Sequence, residues 1–202
     1  MSKSNHKPYM ISEIGLNHNG DLELACELIK KAKVCGADVA KFQLYDAKNL
    51  FPKEGNEWYE YNCKTELSFE DVEMLDRVCK EEGIEFMASV FDVKRIRWLE
   101  DLNVKRYKIA SRTVVDHPKL CEEIISSGKE VFCSLGFWEG VEFPFGAPNS
   151  KLRYIHCVSN YPNTPEDLRK MPPNFSEKSY IAMPSLIKYT CQLRTCSMKS
   201  NL

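Results

Sequence analysis

Short apolar runs alternate along this chain with longer segments that have the period of an amphipathic helix. Six such runs begin roughly 20 to 46 residues apart. Alternation of this kind is typical of βα units arranged around a parallel sheet. The pattern predicts an α/β fold with strands at residues 9–14, 39–45, 85–90, 106–110, 130–134 and 152–157.

Helix start and stop signals lie between the predicted strands. An apolar stripe that begins at Leu22 is followed by Gly36, a residue suited to the left-handed conformation after a helix. Ser68, with an acid three residues later, is a typical N-cap, and Gly83 is a typical terminator. Further helices are predicted to open at Asp92, around 120–125 and after Thr164, whereas the segment 135–151, rich in Gly, Pro and Phe, is predicted to be a loop or a single turn.

The character of the sequence changes after Lys178. Residues 179–202 contain no Asp or Glu, although acids are frequent before them, and they contain no clear seventh or eighth strand. A (β/α)8 barrel of the TIM type usually needs about 250 residues. We therefore expect residues 1–178 to form an incomplete TIM barrel of about six βα units. Residues 179–202 are expected to be a divergent tail, either unstructured or out of frame, and the nucleotide sequence tests the latter hypothesis.

Composition narrows the class of protein. With 43% hydrophobic and 28% charged residues, a chain of this length can bury a core. A net charge of −1 without a long Lys/Arg cluster argues against a nucleic-acid partner. No apolar stretch is long enough to span a membrane, so no membrane partner is expected. Nine cysteines without a C-x-x-C pair indicate buried thiols in a cytoplasmic protein.

Polar residues at the carboxyl ends of the predicted strands are the candidates for chemistry, because parallel α/β proteins place their sites there. Lys41 and Lys108 lie inside apolar strands, where a cation is costly to bury unless it meets an anion. The structural alternative is that they snorkel or pair with a neighbouring carboxylate. Two lysines together with Ser89, Ser111 and Ser134 would suit a ligand that carries a phosphate and a carboxylate.

Other candidates also have structural alternatives. Glu13, at the end of the first strand, either pairs with one of the lysines or takes part in catalysis. His18 and His156 lack a ligand-type spacing and are interpreted as hydrogen-bonded core residues rather than metal ligands. Trp58 and its aromatic neighbours at positions 59 and 61 either stack on a sugar or pack the loop after the second strand against the barrel rim.

Six ordered segments resemble motifs of the N-acetylneuraminate synthase family. Any one of them would be a modest signal, whereas six in order between residues 9 and 178 are highly specific. The segments are SEIGLNHNGD (12–21), ADVAKFQ (37–43), FMASVFD (86–92), RYKIAS (106–111), SLG (134–136) and HCVSNYP (156–162).

The resemblance implies an aldol-like condensation of phosphoenolpyruvate with the aldehyde of N-acetylmannosamine or a related amino sugar. The products are a nine-carbon 2-keto acid and phosphate. It also implies a divalent metal, manganese or magnesium, and a homodimer for the full-length family. By position, it assigns catalytic roles to Glu13, Lys41 and Lys108, and substrate contacts to Ser89, Ser111, Ser134, Ser159, Asn160, Tyr161, Asn17 and Gln43.

Departures from the family pattern are also visible. The family's metal-binding histidines lie in a Gly-Tyr-Ser-Asp-His-Thr-like and an Arg-His-Phe-like segment, and this sequence contains neither, so no metal ligand is predicted within it. An acidic residue common after the fourth-strand serine is replaced by Arg112 and Thr113. The family's C-terminal antifreeze-like domain is also absent from this sequence.

Two alternatives to an active synthase remain open. A catalytically inactive chain could bind phosphoenolpyruvate or a full-length partner without turnover. A Schiff-base TIM-barrel aldolase would instead use Lys41 or Lys108 as a nucleophile. Borohydride trapping with pyruvate separates the two enzymes, because the synthase route forms no imine.

Overall fold

A computed structural model describes residues 9–157 of the chain. Its strands are β1 Ile11–Gly15, β2 Val39–Leu44, β3 Glu85–Val90, β4 Arg106–Ile109, β5 Glu130–Ser134 and β6 Leu152–Ile155. Its helices are α1 Leu22–Val34, α2 Ala47–Leu50, α3 Tyr59–Lys64, α4 Phe69–Glu82, α5 Val93–Asp101, α6 Ser111–Asp116 and α7 Pro118–Ser126. The strands form one sheet in the order β1-β2-β3-β4-β5-β6, with parallel pairing. The predicted strands and the α/β architecture are thereby confirmed.

The predicted helix boundaries are confirmed where a side-chain oxygen accepts the unpaired backbone N–H groups of the first turn. The Asp21 carboxylate accepts two backbone N–H groups at the start of α1. Ser68 and Asp71 form a reciprocal capping box on α4, which ends at Gly83 with φ of 62°. Asp92 Oδ1 accepts the Arg95 N–H at 2.9 Å at the start of α5. These caps fix where each crossover leaves and rejoins the sheet.

Three short helices were not predicted from the sequence. Both α2 and α3 lie in the connection between β2 and α4, where a loop was expected. Ser111 and Arg112, expected at the end of the fourth strand, are instead the first residues of α6. Helices of four to six residues are too short to show an amphipathic period, so the sequence pattern could not reveal them.

The chain divides into two compact units, and the first comprises Met1–Ala88 with Trp98–Leu102. In this unit α1 packs against α4, and Phe42 of β2 stacks on Phe86 of β3 with ring centroids 5.7 Å apart. Ile29 and Leu75 are fully buried in the same core. Burying a side chain of this size stabilises a fold by about 1.5–3 kcal/mol, so these two helices anchor the first two strands.

The second unit comprises Ser89–Arg97 with Asn103–Leu202. Tyr107 of β4 is fully buried, and its hydroxyl donates to the Ile96 carbonyl of α5 at 3.3 Å. Ile109 and Ile124 are also fully buried. This packing covers one face of β4, so the side chains on its other face are those available to a site.

The crossover from β5 to β6 contains no helix or strand, as predicted for 135–151. Its aromatic residues instead cover Tyr154 of β6. Phe143 stacks on the Tyr154 ring at 4.4 Å, and the Tyr154 hydroxyl accepts the Phe145 N–H at 3.2 Å and donates to the Gly146 carbonyl at 3.0 Å. Burial raises the pKa of Tyr154 to about 12. This ordered loop therefore replaces the crossover helix that connects neighbouring strands in most parallel sheets.

The described cysteines are all free thiols. Cys79, Cys121 and Cys133 are buried, and burial raises the pKa of each thiol to about 12. The prediction of buried thiols is correct for these three residues and wrong for Cys35, which is exposed just after α1. The buried thiols therefore stay protonated and act as small apolar side chains.

Some predictions fall outside the described part of the chain. The boundary expected at residue 178 and the helix expected after Thr164 both lie there, and both stay predictions.

None of the helices between residues 9 and 157 combines the length and the apolar character that a membrane crossing requires.

Candidate functional site

The site in the first unit is built on an ion pair between neighbouring strands. The parallel register places Glu13 of β1 opposite Lys41 of β2, so both side chains point to the same face of the sheet. Lys41 Nζ lies 2.5 Å from Glu13 Oε2, and the exposed fractions of the two side chains are 3% and 19%. The interpretation of Lys41 as a buried cation paired with a carboxylate is confirmed.

A bulge at the end of β1 opens a space beside this pair. The register shifts between Glu13 and Gly15, and Gly15 has a φ of +54°, which disfavours any residue with a Cβ. A Cβ at this position would lie 3.3 Å from Glu13 Oε1 and 3.5 Å from Gln43 Nε2. Glu13 Oε1 is buried and has no hydrogen-bond partner among the described residues. An acceptor and a donor therefore face a space that only glycine leaves open.

The turn between β1 and α1 is held by α3. The side-chain Nδ2 of Asn17 donates to the Ile14 carbonyl at 2.8 Å. Part of the hydrogen-bonding capacity of this predicted substrate contact is therefore used within the turn. The Tyr61 hydroxyl lies 3.0 Å from both the Leu16 carbonyl oxygen and Asn19 Oδ1 and donates to them. Trp58 packs edge-on against Tyr61 at 6.1 Å. Of the two alternatives for these aromatic residues, packing is confirmed for Tyr61.

His18 is a core residue of this turn. Its side chain is fully buried, and its Nδ1 accepts the Gly20 N–H at 3.2 Å. Burial lowers the pKa of His18, and the nearby Asp71 carboxylate opposes that effect only in part. A neutral ring whose Nδ1 accepts a hydrogen bond carries its proton on Nε2. The interpretation of His18 as a hydrogen-bonded core residue is confirmed.

We expect the stability of the protein to fall as the pH drops below about 6.5, the ordinary pKa of histidine. Burial lowers the pKa of both His18 and His156 in the folded chain, so in this range the unfolded chain takes up protons that the folded chain excludes. The measurement is thermal unfolding at about pH 7.5 and about pH 5.5. His18→Asn keeps an acceptor for the Gly20 N–H but does not titrate, and it should reduce the loss. The exposed His117→Asn is the control, and an undiminished loss in His18→Asn would contradict the prediction.

The second unit aligns a lysine with two serines. The register places Ser89 of β3 opposite Lys108 of β4, and Lys108 opposite Phe132 of β5. Ser134 follows Phe132 by two residues, so Ser89, Lys108 and Ser134 point to one face of this part of the sheet. All three are buried, and Lys108 Nζ donates to the Ile109 carbonyl at 2.8 Å. A cation and hydroxyl groups on one face are suited to an anionic ligand.

Ser111 joins the ends of three strands. Its Oγ accepts the N–H of Gly136, which follows β5, at 3.1 Å, and lies 3.2 Å from the Sγ of Cys157, which follows β6. Ser111 was predicted from the sequence as a substrate contact, whereas no role was predicted for Gly136 or Cys157. Their contribution depends on contacts between residues 25 and 46 positions apart, which no local pattern indicates.

The described residues do not fit the divalent metal ion that the resemblance implies. Among residues 9–157, no group of three His, Cys, Asp or Glu side chains comes together as a metal site would require. We therefore assign no chemical step to a metal. Three of the predicted substrate contacts, Ser159, Asn160 and Tyr161, lie outside the described residues and stay predictions.

Comparison with known proteins identifies relatives of this chain. A sequence profile of the NeuB family matches residues 28–173. The uncharacterized protein MJ1065 of Methanocaldococcus jannaschii is 37% identical over 166 residues, covering 79% of this chain and 49% of that protein. The N,N'-diacetyllegionaminic acid synthase of Legionella pneumophila is 35% identical over 183 residues, covering 79% of this chain and 51% of the relative.

A solved structure has the same fold. It is the N-acetylneuraminic acid (sialic acid) synthetase of Leptospira borgpetersenii in complex with citrate. The two chains are 30% identical and superpose with a TM-score of 0.72, covering 83% of this chain and 62% of that one. This chain spans about half the length of the curated relatives it matches.

Proposed function

This chain belongs to the NeuB family, and on that premise we propose that it serves the condensation of phosphoenolpyruvate with an N-acetylated amino sugar. N-acetylmannosamine is the acceptor we propose first, with a nine-carbon 2-keto acid of the sialic acid type and phosphate as products. The observation that carries the proposal is the alignment of buried Lys108 with Ser89 and Ser134 on one face of the second unit.

The second unit is suited to the enolpyruvate. Phosphoenolpyruvate carries a phosphate and a carboxylate on a three-carbon unit, so its binding needs a cation and several hydrogen-bond donors close together. Lys108 supplies the cation, and its side chain is buried on the same face as the serines. Ser89, Ser111 and Ser134 supply hydroxyl groups. In such a poorly hydrated setting, charge-assisted hydrogen bonds are about twice as strong as neutral ones.

The first unit is suited to proton handling beside the sugar. Lys41 holds Glu13 through Oε2, which leaves the buried Oε1 as an acceptor beside Gly15. We assign to Glu13 Oε1 a hydrogen bond from a hydroxyl of the sugar or from a water molecule. Gln43 Nε2 faces the same space and can donate to the same group.

The proposed reaction balances with one water molecule. The C3 atom of the enolpyruvate forms a bond to the aldehyde carbon of the sugar, and the aldehyde oxygen takes up a proton. Negative charge develops on the aldehyde oxygen, which preorganised donors must match, and positive charge develops at C2, which a carboxylate must match. Water adds to C2 and loses one proton, and the bond from C2 to the phosphate oxygen then breaks as the new C2 hydroxyl gives its proton to the departing phosphate. A 2-keto acid and inorganic phosphate result.

The test is phosphoenolpyruvate binding, measured by isothermal titration, to the unaltered chain and to Lys108→Met. Loss of the ammonium group removes a charged hydrogen-bond donor, which is worth about 1.5–3 kcal/mol, so the affinity should fall at least about tenfold. The matched control is Lys105→Met, because Lys105 is exposed three residues before Lys108 and should not change the affinity. Equal affinities for all three proteins would reject the assignment of Lys108.

Turnover separates an active synthase from a chain that only binds. The protein is mixed with phosphoenolpyruvate, N-acetylmannosamine and manganese, and both phosphate release and the mass of the 2-keto acid are followed. Product formation supports the whole proposal. Binding without product, from a demonstrably folded sample, would instead favour an inactive chain that retains the enolpyruvate site.

A further inference from the structure

The hydroxyl of Ser111 receives two contacts from neighbouring strand ends. The N–H of Gly136, which follows β5, donates to Ser111 Oγ at 3.1 Å. The Sγ of Cys157, which follows β6, lies 3.2 Å from the same oxygen, and Cys157 is half-buried. Ser111 follows Lys108 by three residues, whereas Gly136 follows Ser134 by two. Both contacts therefore act on Ser111 where the strands of the proposed enolpyruvate site end.

The number of lone pairs limits what this hydroxyl can do. A serine hydroxyl has two acceptor lone pairs and one hydrogen to donate. The Gly136 N–H occupies one lone pair. The Cys157 thiol can donate to the second lone pair or accept the serine hydrogen, because the contact allows either atom to be the donor. Sulfur is a weak acceptor and a phosphate oxygen is a strong, charged one, so a bound anion takes the serine hydrogen and leaves the second lone pair to the thiol.

We propose that Cys157 is a positioning residue for phosphoenolpyruvate, whose S–H donates to Ser111 Oγ and so directs the serine hydrogen toward the bound anion. With both lone pairs occupied, the Ser111 hydroxyl can act only as a donor, which is what an anionic oxygen needs. Without the thiol, one lone pair loses its donor and the hydroxyl hydrogen is no longer directed. This inference deepens the proposed function and rests on it.

The test is phosphoenolpyruvate binding by isothermal titration to variants of Cys157 and Ser111. Cys157→Ala removes the thiol, and the affinity should fall by about two- to tenfold, the range expected for one neutral hydrogen bond. Cys157→Ser keeps a donor on a shorter bond, so its affinity should lie between those of the unaltered chain and the alanine variant. In a Ser111→Ala background, Cys157→Ala should have no further effect, because the thiol acts only through that hydroxyl.

Cys121→Ala is the matched control. The Cys121 thiol also makes a hydrogen bond, to the Thr113 carbonyl at 3.4 Å, and it belongs to the same unit. Removing this thiol should lower the stability without changing the affinity for phosphoenolpyruvate. Thermal unfolding of every variant verifies that binding is compared between folded proteins.

Three outcomes would overturn the inference. One is an unchanged affinity in Cys157→Ala. Another is the same loss from Cys157→Ala with and without the Ser111 hydroxyl, which would assign the thiol a structural role at the strand ends. The third is a Cys157→Ser variant that binds no better than Cys157→Ala. Failure of the proposed function is distinguishable, because the unaltered chain itself then does not bind phosphoenolpyruvate.

Discussion

Replacing Lys41 with methionine is expected to lower the free energy of unfolding by about 2–3 kcal/mol. Removing one partner of a buried ion pair leaves an uncompensated charge and usually costs about 3–5 kcal/mol. Glu13 keeps 19% of its side chain exposed, so water offsets part of that cost. The measurement is urea unfolding at neutral pH.

A double-mutant cycle isolates the pair. Glu13→Gln removes the other charge, and the double variant leaves neither charge unpaired, so it should be more stable than the sum of the single losses predicts. The matched control is Lys80→Met. Lys80 lies 2.6 Å from Asp76, and the exposed fractions of the two side chains are 66% and 10%, so water hydrates the lysine and its loss should cost less than the loss of the buried Lys41. Equal losses in Lys41→Met and Lys80→Met would contradict the prediction.

Replacing Gly20 with alanine is expected to destabilise the protein by about 3 kcal/mol or more. Gly20 has a φ of +76°, a conformation that costs an alanine about 1–2 kcal/mol. A Cβ would also overlap the backbone carbonyl oxygen of Lys64 in α3, and a backbone atom cannot rotate away. The added methyl group must therefore push the turn after β1 away from α3. Thermal unfolding measures the effect.

Gly36→Ala is the control that separates the two causes. Gly36 has a φ of +86°, yet nothing lies within 4 Å of the Cβ that an alanine would add. Its substitution should cost only the conformational part, about 1–2 kcal/mol. A Gly20→Ala variant as stable as Gly36→Ala would show that the turn moves freely relative to α3. The positions assigned to Asn17 and His18 would then not be fixed by that contact.

Local signals in the sequence were sufficient for the framework of this fold. The strand containing Lys108 and the helix capped by Ser68 were both placed correctly, because apolar periodicity and capping chemistry act within a few residues. The candidate residues Glu13, Lys41 and Ser89 followed from the rule that parallel sheets carry chemistry at strand ends. The resemblance to the synthase family rested on the same strand ends.

Other features of the site could not be predicted in this way. The pairing of Glu13 with Lys41, rather than with Lys108, depends on the register of β1 against β2. The space above Gly15 exists because of a bulge that shifts this register. A register is chosen by the packing of whole strands, so no single residue in the sequence encodes it.

The sequence by itself determined the order of the strands and helices, the buried lysines and the family. Each of these depends on periodicity, capping or motif order, which are properties of neighbouring residues. Only the tertiary structure decided that Ser111 accepts a hydrogen bond from Gly136 and that Arg112 lies over Phe137. Those contacts join residues 25 positions apart, and they form because adjacent parallel strands end side by side.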